Sequence, residues 1–333
     1  MKVFLTGGTG YLGSQLLEGL LDAGHEVSAL TRRPRTDDER PGLRWVLGDL
    51  GERLPEASEF NQHAVVVHSA AMVKTWAPDP TEFDRVNVLA YQKLLERCAI
   101  AGVTKVVHTS SFFSLGPSPS PTPIDEKSRA ERTHFYTDYE RTKYLADQVT
   151  DRFLDKGLPI VTLYPTILFG PGKCTDGNLL GKLAYWVREG TFPGQIGSGR
   201  QVWNYAFVPD VVAGHVAAIE RGMGGHKFIL GGENIALSDI LRMIFTKLDK
   251  PVKMRTMPVP IAETLGRLME FGARFTKKAP ELTRGAAGAY REHWAYSSTR
   301  AERALGYTIT PLDDALDQTV DWVRGLESWG DSE

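Results

Sequence analysis

The sequence predicts an α/β fold, a doubly wound parallel sheet followed by a smaller, mainly α C-terminal lobe. Three observations carry that prediction. Short runs rich in β-branched residues alternate with helical patterns through the first half of the chain, as βαβ units require. The first run feeds straight into a glycine-rich turn and then a helix, all within residues 2–23. With 333 residues the chain exceeds an ordinary single core, so one large domain or two joined lobes are expected.

Taken in order, residues 2–6 read as a short buried strand. Residues 11–23 read as a helix with Leu12, Leu16, Leu17, Leu20 and Leu21 on one face, closed by Gly24. Residues 26–31, 43–47, 64–69, 105–110 and 159–165 read as further strands, with long helical stretches near 82–101 and 139–156 between the later ones. Right-handed crossovers wind such units into an open sheet, with ligands beyond the carboxyl ends of the strands. After Gly172 the alternation weakens, and a short β/α pattern returns at 205–221 and 227–230. The expected division is residues 1–172 plus 205–232 in the larger domain, with 173–204 and 233–333 in the lobe. Within that lobe, 258–275 has amphipathic helical spacing through Ile261, Leu265, Leu268, Met269 and Phe271. Core packing is the expected use of that stripe, ahead of a cap on a pocket or contact with a membrane surface.

Composition excludes several classes. Lys plus Arg number 39 against 41 Asp plus Glu, which leaves no electrostatic footprint for nucleic acid or an anionic membrane. Cys98 and Cys174 form no CxxC pair, and the eight histidines show no HxH or HExxH spacing, so no metal site is expected. Both cysteines read as free thiols of a reducing compartment. There is no leader pattern and no apolar run long enough to span a membrane. The expectation is a soluble cytoplasmic protein acting on a small molecule.

The first strand runs into Thr6-Gly7-Gly8-Thr9-Gly10-Tyr11-Leu12-Gly13. Gly7 suits the tight turn, Gly10 the close approach of backbone N–H groups to a pyrophosphate, and Gly13 close packing of helix on strand. Strand before and helix after make this a dinucleotide loop, with Tyr11 and Leu12 opening the helix toward the phosphates. Specificity for NAD ordinarily needs a carboxylate at the end of the second strand. Here Thr31-Arg32-Arg33-Pro34-Arg35 supplies arginines instead. A guanidinium pairs with the 2′-phosphate of NADP through charge-assisted bonds of ~1.5–3 kcal/mol each, so NADP is the expected cofactor, through Arg32, and NAD the alternative. Asp49 and Leu50, after the third strand, are placed to receive the adenine.

Tyr139 and Lys143 stand four apart, on one face of a helix. A tyrosine with a pKa near 10 needs help to move protons at neutral pH, and an adjacent ammonium favours its phenolate. The fifth strand ends in Thr109-Ser110-Ser111-Phe112-Phe113-Ser114-Leu115-Gly116, which sets hydroxyls at a carboxyl end. With these residues the chain resembles an extended short-chain dehydrogenase/reductase along nearly its whole length. The likeness includes the glycine loop, Asp49, His68-Ser69-Ala70-Ala71, Asn87, the serine-bearing strand and the Tyr139/Lys143 pair. It continues through Tyr164-Pro165-Thr166-Ile167 and on to Gly172, and ends in the segment from Ser298 to Tyr307.

That resemblance implies a Rossmann fold and three catalytic residues. Ser111 orients the substrate oxygen, Tyr139 is the general acid/base, and Lys143 holds the nicotinamide ribose and lowers the Tyr139 pKa. Ser69, Ala70, Ala71, Asn87, Tyr164, Pro165 and Ile167 would line the cofactor. Departures narrow the reaction. Sugar dehydratases of this family place Asp-Glu after the catalytic hydroxyl, where this chain has Phe112 and Phe113. Epimerases usually place Arg and Asp where Trp203 and Asn204 stand, with Arg200 the nearest substitute. Met72, Trp76, Phe112, Phe113 and Trp203 suggest an apolar substrate pocket, while His293, Trp294 and Tyr296 read as packing. The pattern is most similar to the dihydroflavonol-4-reductase-like and 3β-hydroxysteroid-dehydrogenase-like branch. The implied activity is NADPH-dependent reduction of a ketone or aldehyde on an apolar molecule. The alternatives are an NAD-dependent nucleotide-sugar epimerase and, more remotely, a redox-sensing NADP-binding protein. The two long helical stretches could pair in a homodimer.

Overall fold

A computed structural model describes residues 1–35, 38–128 and 131–330. Its strands are β1 (Lys2–Thr6), β2 (Glu26–Thr31), β3 (Leu43–Leu47), β4 (Val65–His68), β5 (Lys105–Thr109) and β6 (Ile160–Pro165). They continue with β7 (Ile167–Phe169), β8 (Gln195–Ile196), β9 (Val202–Phe207), β10 (Lys227–Leu230), β11 (Glu233–Ala236) and β12 (Thr256–Met257). Seven of them form one parallel sheet in the order β10-β6-β5-β4-β1-β2-β3. The predicted α/β class is therefore borne out. Strand β1 alternates its faces: Val3 and Leu5 pack with the helix Tyr11–Asp22, and Phe4 with the helix Ala90–Ala101 on the other side. All four residues of β4 are buried, as a strand covered on both faces requires.

Chain order reverses between β1 and β4. From β1 the chain builds outward to β2 and β3, then returns to start the other half at β4. A crevice opens beyond the carboxyl ends of strands at such a reversal, and it is bounded here by the glycine loop and by Ser69 to Ala71.

A second, smaller sheet has the order β11-β9-β7, and β8 pairs with β12. One residue, Thr166, separates β6 in the large sheet from β7 in the small one. Asn204 ties the seam: Thr166 Oγ1 donates to its Oδ1 at 2.7 Å, and its Nδ2 donates to Gly232 O at 2.8 Å. The helices Leu179–Glu189, Leu237–Lys247 and Leu312–Arg324 close the core around these strands.

Two local features differ from the sequence expectation. The stretch at 82–101 is not one α-helix; Arg85–Leu89 forms a π-turn before Ala90–Ala101. The β run near 205 starts at Val202 and pairs with β7 and β11, not with the large sheet. Strands of two to four residues, such as β8, β11 and β12, are too short to show a period in sequence.

Packing against the glycine loop is close enough to test. A Cβ on Gly13 would stand 1.9 Å from Gly7 O, whereas one on Gly10 would meet the same oxygen at 3.4 Å. Gly13→Ala is expected to destabilise the chain by about 3 kcal/mol or more, and Gly10→Ala by about 1 kcal/mol or less, in denaturant unfolding. Equal losses for the two would contradict this packing.

Candidate active site

The crevice is shaped by missing side chains. Gly7 has φ +83°, and a Cβ there would stand 2.6 Å from Ala70 N. Gly10 is the N-cap of the helix Tyr11–Asp22, whose first-turn N–H groups lack helical acceptors and face the crevice as an anion site. Thr6 Oγ1 accepts from Ala70 N at 3.4 Å and lies 2.8 Å from His68 Nδ1, which fastens Ser69, Ala70 and Ala71 beside the loop. The backbone cradle that a Cβ would fill fits a dinucleotide.

Opposite the glycine loop, the loop after β7 is clasped to it. Tyr11 Oη donates to Gly170 O at 3.0 Å, Gln15 Nε2 to Pro171 O at 3.1 Å, and Lys173 Nζ to Thr9 O at 2.8 Å. The Tyr11 hydroxyl is thus engaged by protein, and burial raises its pKa. Lys173 was not singled out from sequence. Burial holds its pKa below the usual lysine value, and the nearby Arg35 charge adds to that. The signal available was a cation directly after Gly170-Pro171-Gly172. Arg35 lies over Trp45 at 5.2 Å, while Arg32 and Arg33 are exposed. Asp49 Oδ1 accepts from Gly51 N at 2.7 Å and Glu52 N at 3.0 Å, so that oxygen organises its own turn; Leu50 is buried in the core.

Across the crevice, the helix Asp138–Asp155 is capped by Thr137, whose side chain accepts from Glu140 N. This places Tyr139 in the first turn and Lys143 one turn on. Ser111, two residues past β5, accepts from Phe113 N at 3.3 Å and stands near enough to the Tyr139 phenol to act on its pKa. Lys143 is buried, donates to Thr109 O at 2.9 Å and lies 6.0 Å from the Tyr139 ring centre. Ser111, Tyr139 and Lys143 are therefore brought together.

Electrostatics here are governed by burial. The Tyr139 pKa is pushed up to about 12 by burial, against the opposing hydrogen bond from Ser111. Burial also pushes the Lys143 ammonium down, to about 8, with the Asp147 charge opposing. Asp147 accepts from Ser110 Oγ at 2.6 Å and Ser114 Oγ at 2.7 Å, bracing the Ser111 turn. Arg132 pairs with the fully buried Glu140 and donates to Phe113 O at 2.9 Å. Asn87 accepts from Met72 N at 2.7 Å and donates to Thr142 Oγ1 at 3.1 Å. Both its polar atoms are engaged by protein, so it positions the segment after β4 on the Tyr139 helix.

Phe113 is half-buried, edge-on to Tyr139 with ring centres 6.1 Å apart, and Met72 and Trp76 are also half-buried. Phe112 is 5% exposed, packed on Trp294 and Tyr296. Trp203 is 6% exposed and donates to Glu292 O. Both belong to the core around β7 and β9. Tyr164 and Pro165 end β6, buried, and Ile167 begins β7.

The sequence profile of the NAD dependent epimerase/dehydratase family matches residues 3–231. The chain belongs to this family. Across 328 residues it is 28% identical to a Synechocystis protein provisionally named a dihydroflavonol 4-reductase, covering 96% of this chain and 94% of that one. It is 27% identical over 330 residues to sterol demethylase protein B of Methylococcus capsulatus, covering 97% and 98%. The crystal structure of gox2253 superposes with a TM-score of 0.79 at 28% identity, covering 97% of each chain. As a member of the epimerase/dehydratase family the chain is an NAD(P)-dependent oxidoreductase.

Lys143 yields a prediction on stability. Its pKa is about 8 when folded against 10.5 ordinarily, so the unfolded chain binds the proton more tightly. The stability it confers is present above pH 10.5 and is lost as pH falls through about 8. Lys143→Met, free of that buried charge, is expected to raise Tm at pH 7 by roughly 2–4 °C, with the gain shrinking as pH approaches 10.5. A variant that melts lower at pH 7 would contradict this.

Proposed function

We propose that this protein reduces a ketone or aldehyde on an apolar small molecule, with NADPH as the preferred cofactor. The observation that carries the reading is Phe113 edge-on to Tyr139. The position beside the phenol is an aromatic wall with no second proton-transfer group, as carbonyl reduction needs and sugar dehydration does not. Burial adds support by keeping Tyr139 protonated at neutral pH, the form that donates to a carbonyl oxygen. Residues 1–172 with 205–232 serve as the coenzyme part in this reading, and 173–204 with 233–333 as the substrate part.

The bound nicotinamide supplies the hydride. Ser111 orients the substrate oxygen and Tyr139 gives it a proton. Lys143 holds the ribose hydroxyls. Phe113, Met72 and Trp76 exclude water from the carbonyl. Gly7, Gly10 and Gly13 with the N–H groups of Tyr11 and Leu12 receive the pyrophosphate, beside Ser69, Ala70, Ala71, Tyr164, Pro165 and Ile167. Arg32 and Arg35 would hold the 2′-phosphate, and Lys173 would add a cation from the clasped loop.

Arg200 lines a hollow with Gln195, Ser238 and the paired Arg242 and Asp239, and so offers one cation to the diphosphate of a nucleotide sugar. That observation keeps epimerisation as the second reading. Nucleotide released on denaturing the purified protein separates the two: an epimerase retains NAD through its cycle, whereas a reductase exchanges its cofactor every turnover.

Tyr139→Phe is expected to lower kcat at least about a thousandfold while cofactor affinity changes less than about threefold. Substantial residual turnover would move the proton donor elsewhere. Arg32→Ala is expected to weaken NADPH about 10- to 100-fold and leave NADH unchanged, and Lys173→Met to weaken both by about tenfold. Unchanged preference in Arg32→Ala would overturn the NADP assignment.

A further inference from the structure

The helix Val259–Thr276 is built with its large side chains outward. Its inward face carries Ala262, Gly266 and Ala273, all buried. It packs so closely on the helix Arg284–Ala289 that a Cβ on Gly266 would stand 2.6 Å from Arg284 N. On the opposite face Ile261 is 58% exposed, Leu268 65%, Phe271 60% and Phe275 74%. The rings of Phe271 and Phe275 touch, with centres 5.3 Å apart. At 100° per residue these four side chains fall within an arc of about 80°, an apolar strip interrupted by the hydroxyl of the exposed Thr264. The sequence expectation of core packing for 258–275 is corrected here: the small residues enter the core, and Ile261, Leu268 and Phe271 do not.

Cations flank the strip. Arg267 and Arg274 follow one edge, and Lys277 and Lys278 close its C-terminal end, all exposed. The two carboxylates of the helix are engaged elsewhere, Glu263 with Arg291 at 2.6 Å and Glu270 with Arg284 N at 2.9 Å. An exposed apolar face of this kind marks an interaction surface, and a cationic rim selects an anionic one. Pairing of the strip with a second copy would set Arg267 and Arg274 against their own copies. One helix face is also small beside the ~800 Å² per partner that a stable dimer buries. Among the described residues no helix is long and apolar enough to cross a membrane, so this one lies on a surface instead of entering it end-on.

We propose that this face docks the protein on an anionic lipid bilayer. Ile261, Leu268, Phe271 and Phe275 enter the boundary between headgroups and acyl chains, and Arg267, Arg274, Lys277 and Lys278 meet the headgroups. The strip stands two layers from the candidate site. The helix rests on Arg284–Ala289, where a Cβ on Gly285 would stand 1.9 Å from Tyr136 O, and Tyr136 directly precedes the cap of the Tyr139 helix. Docking sets that site beside a phase in which apolar molecules concentrate, and it holds whichever reaction the site performs.

The test is cosedimentation of the full chain with vesicles of phosphatidylcholine alone or mixed with phosphatidylglycerol, at low and high salt. The expected result is binding to the mixed vesicles that weakens with salt. Leu268→Ser with Phe271→Ser should lower the apparent partition coefficient at least about tenfold without lowering Tm or cofactor affinity. Wild-type protein that stays in the supernatant with both vesicle types would overturn the proposal, as would a double variant that binds like the wild type. Light scattering that finds a dimer which the double variant dissociates would assign the strip to a second copy and overturn it too.

Discussion

Close approach of backbone to backbone at the sheet's reversal point is the constraint on which the rest of this structure depends. Gly7 lies against Ala70, and Gly13 against Gly7. No side chain fits between them, so the ends of β1 and β4 and the start of the Tyr11–Asp22 helix form one rigid rim. That rim directs helix N–H groups into the crevice. The clasp from Tyr11, Gln15 and Lys173 then fixes the loop after β7 on its far side. Residues 170–173 are thereby held over the crevice by hydrogen bonds to the glycine loop and the helix that follows it.

Burial sets the electrostatics of the site. Beneath Lys143 the rings of His68, Tyr91 and His108 form a stack. Burial, followed by the charge of Lys143, lowers both histidine pKa values, to about 3 for His68. Neutral imidazoles there add no positive charge to a region that already holds a buried ammonium. The Arg132–Glu140 pair and Asp147 supply the remaining charges, each tied to the Ser111 turn or the Tyr139 helix. Leaving any of them unpaired would cost several kcal/mol, so these residues position the reacting groups without touching them.

Much of this was legible in sequence, and the rest was hidden for physical reasons. The alternation of strand and helix, the glycine loop and the Tyr139/Lys143 spacing are local patterns, and local patterns survive in one dimension. The α/β class and the family followed from them. Partners distant in sequence did not show: Lys173 reaches Thr9 across 164 residues, and Asn87 reaches Thr142 across 55. Phe112 and Phe113 are neighbours in sequence and their rings stack at 4.2 Å, yet only Phe113, at the outer side of that stack, also meets Tyr139, a contact that depends on the distant Tyr139 helix. The outward strip on Val259–Thr276 was misread because helical periodicity gives a stripe but not the side on which the rest of the protein lies.

The central claim is that Tyr139 and the coenzyme complete a net reduction. Single-turnover reaction of the purified protein with NADPH deuterated at C4 and a panel of apolar ketones tests it most directly. The account predicts one deuterium at the carbinol carbon of the product alcohol, with one NADP formed per site. A substrate recovered with inverted configuration and the coenzyme unchanged would contradict it.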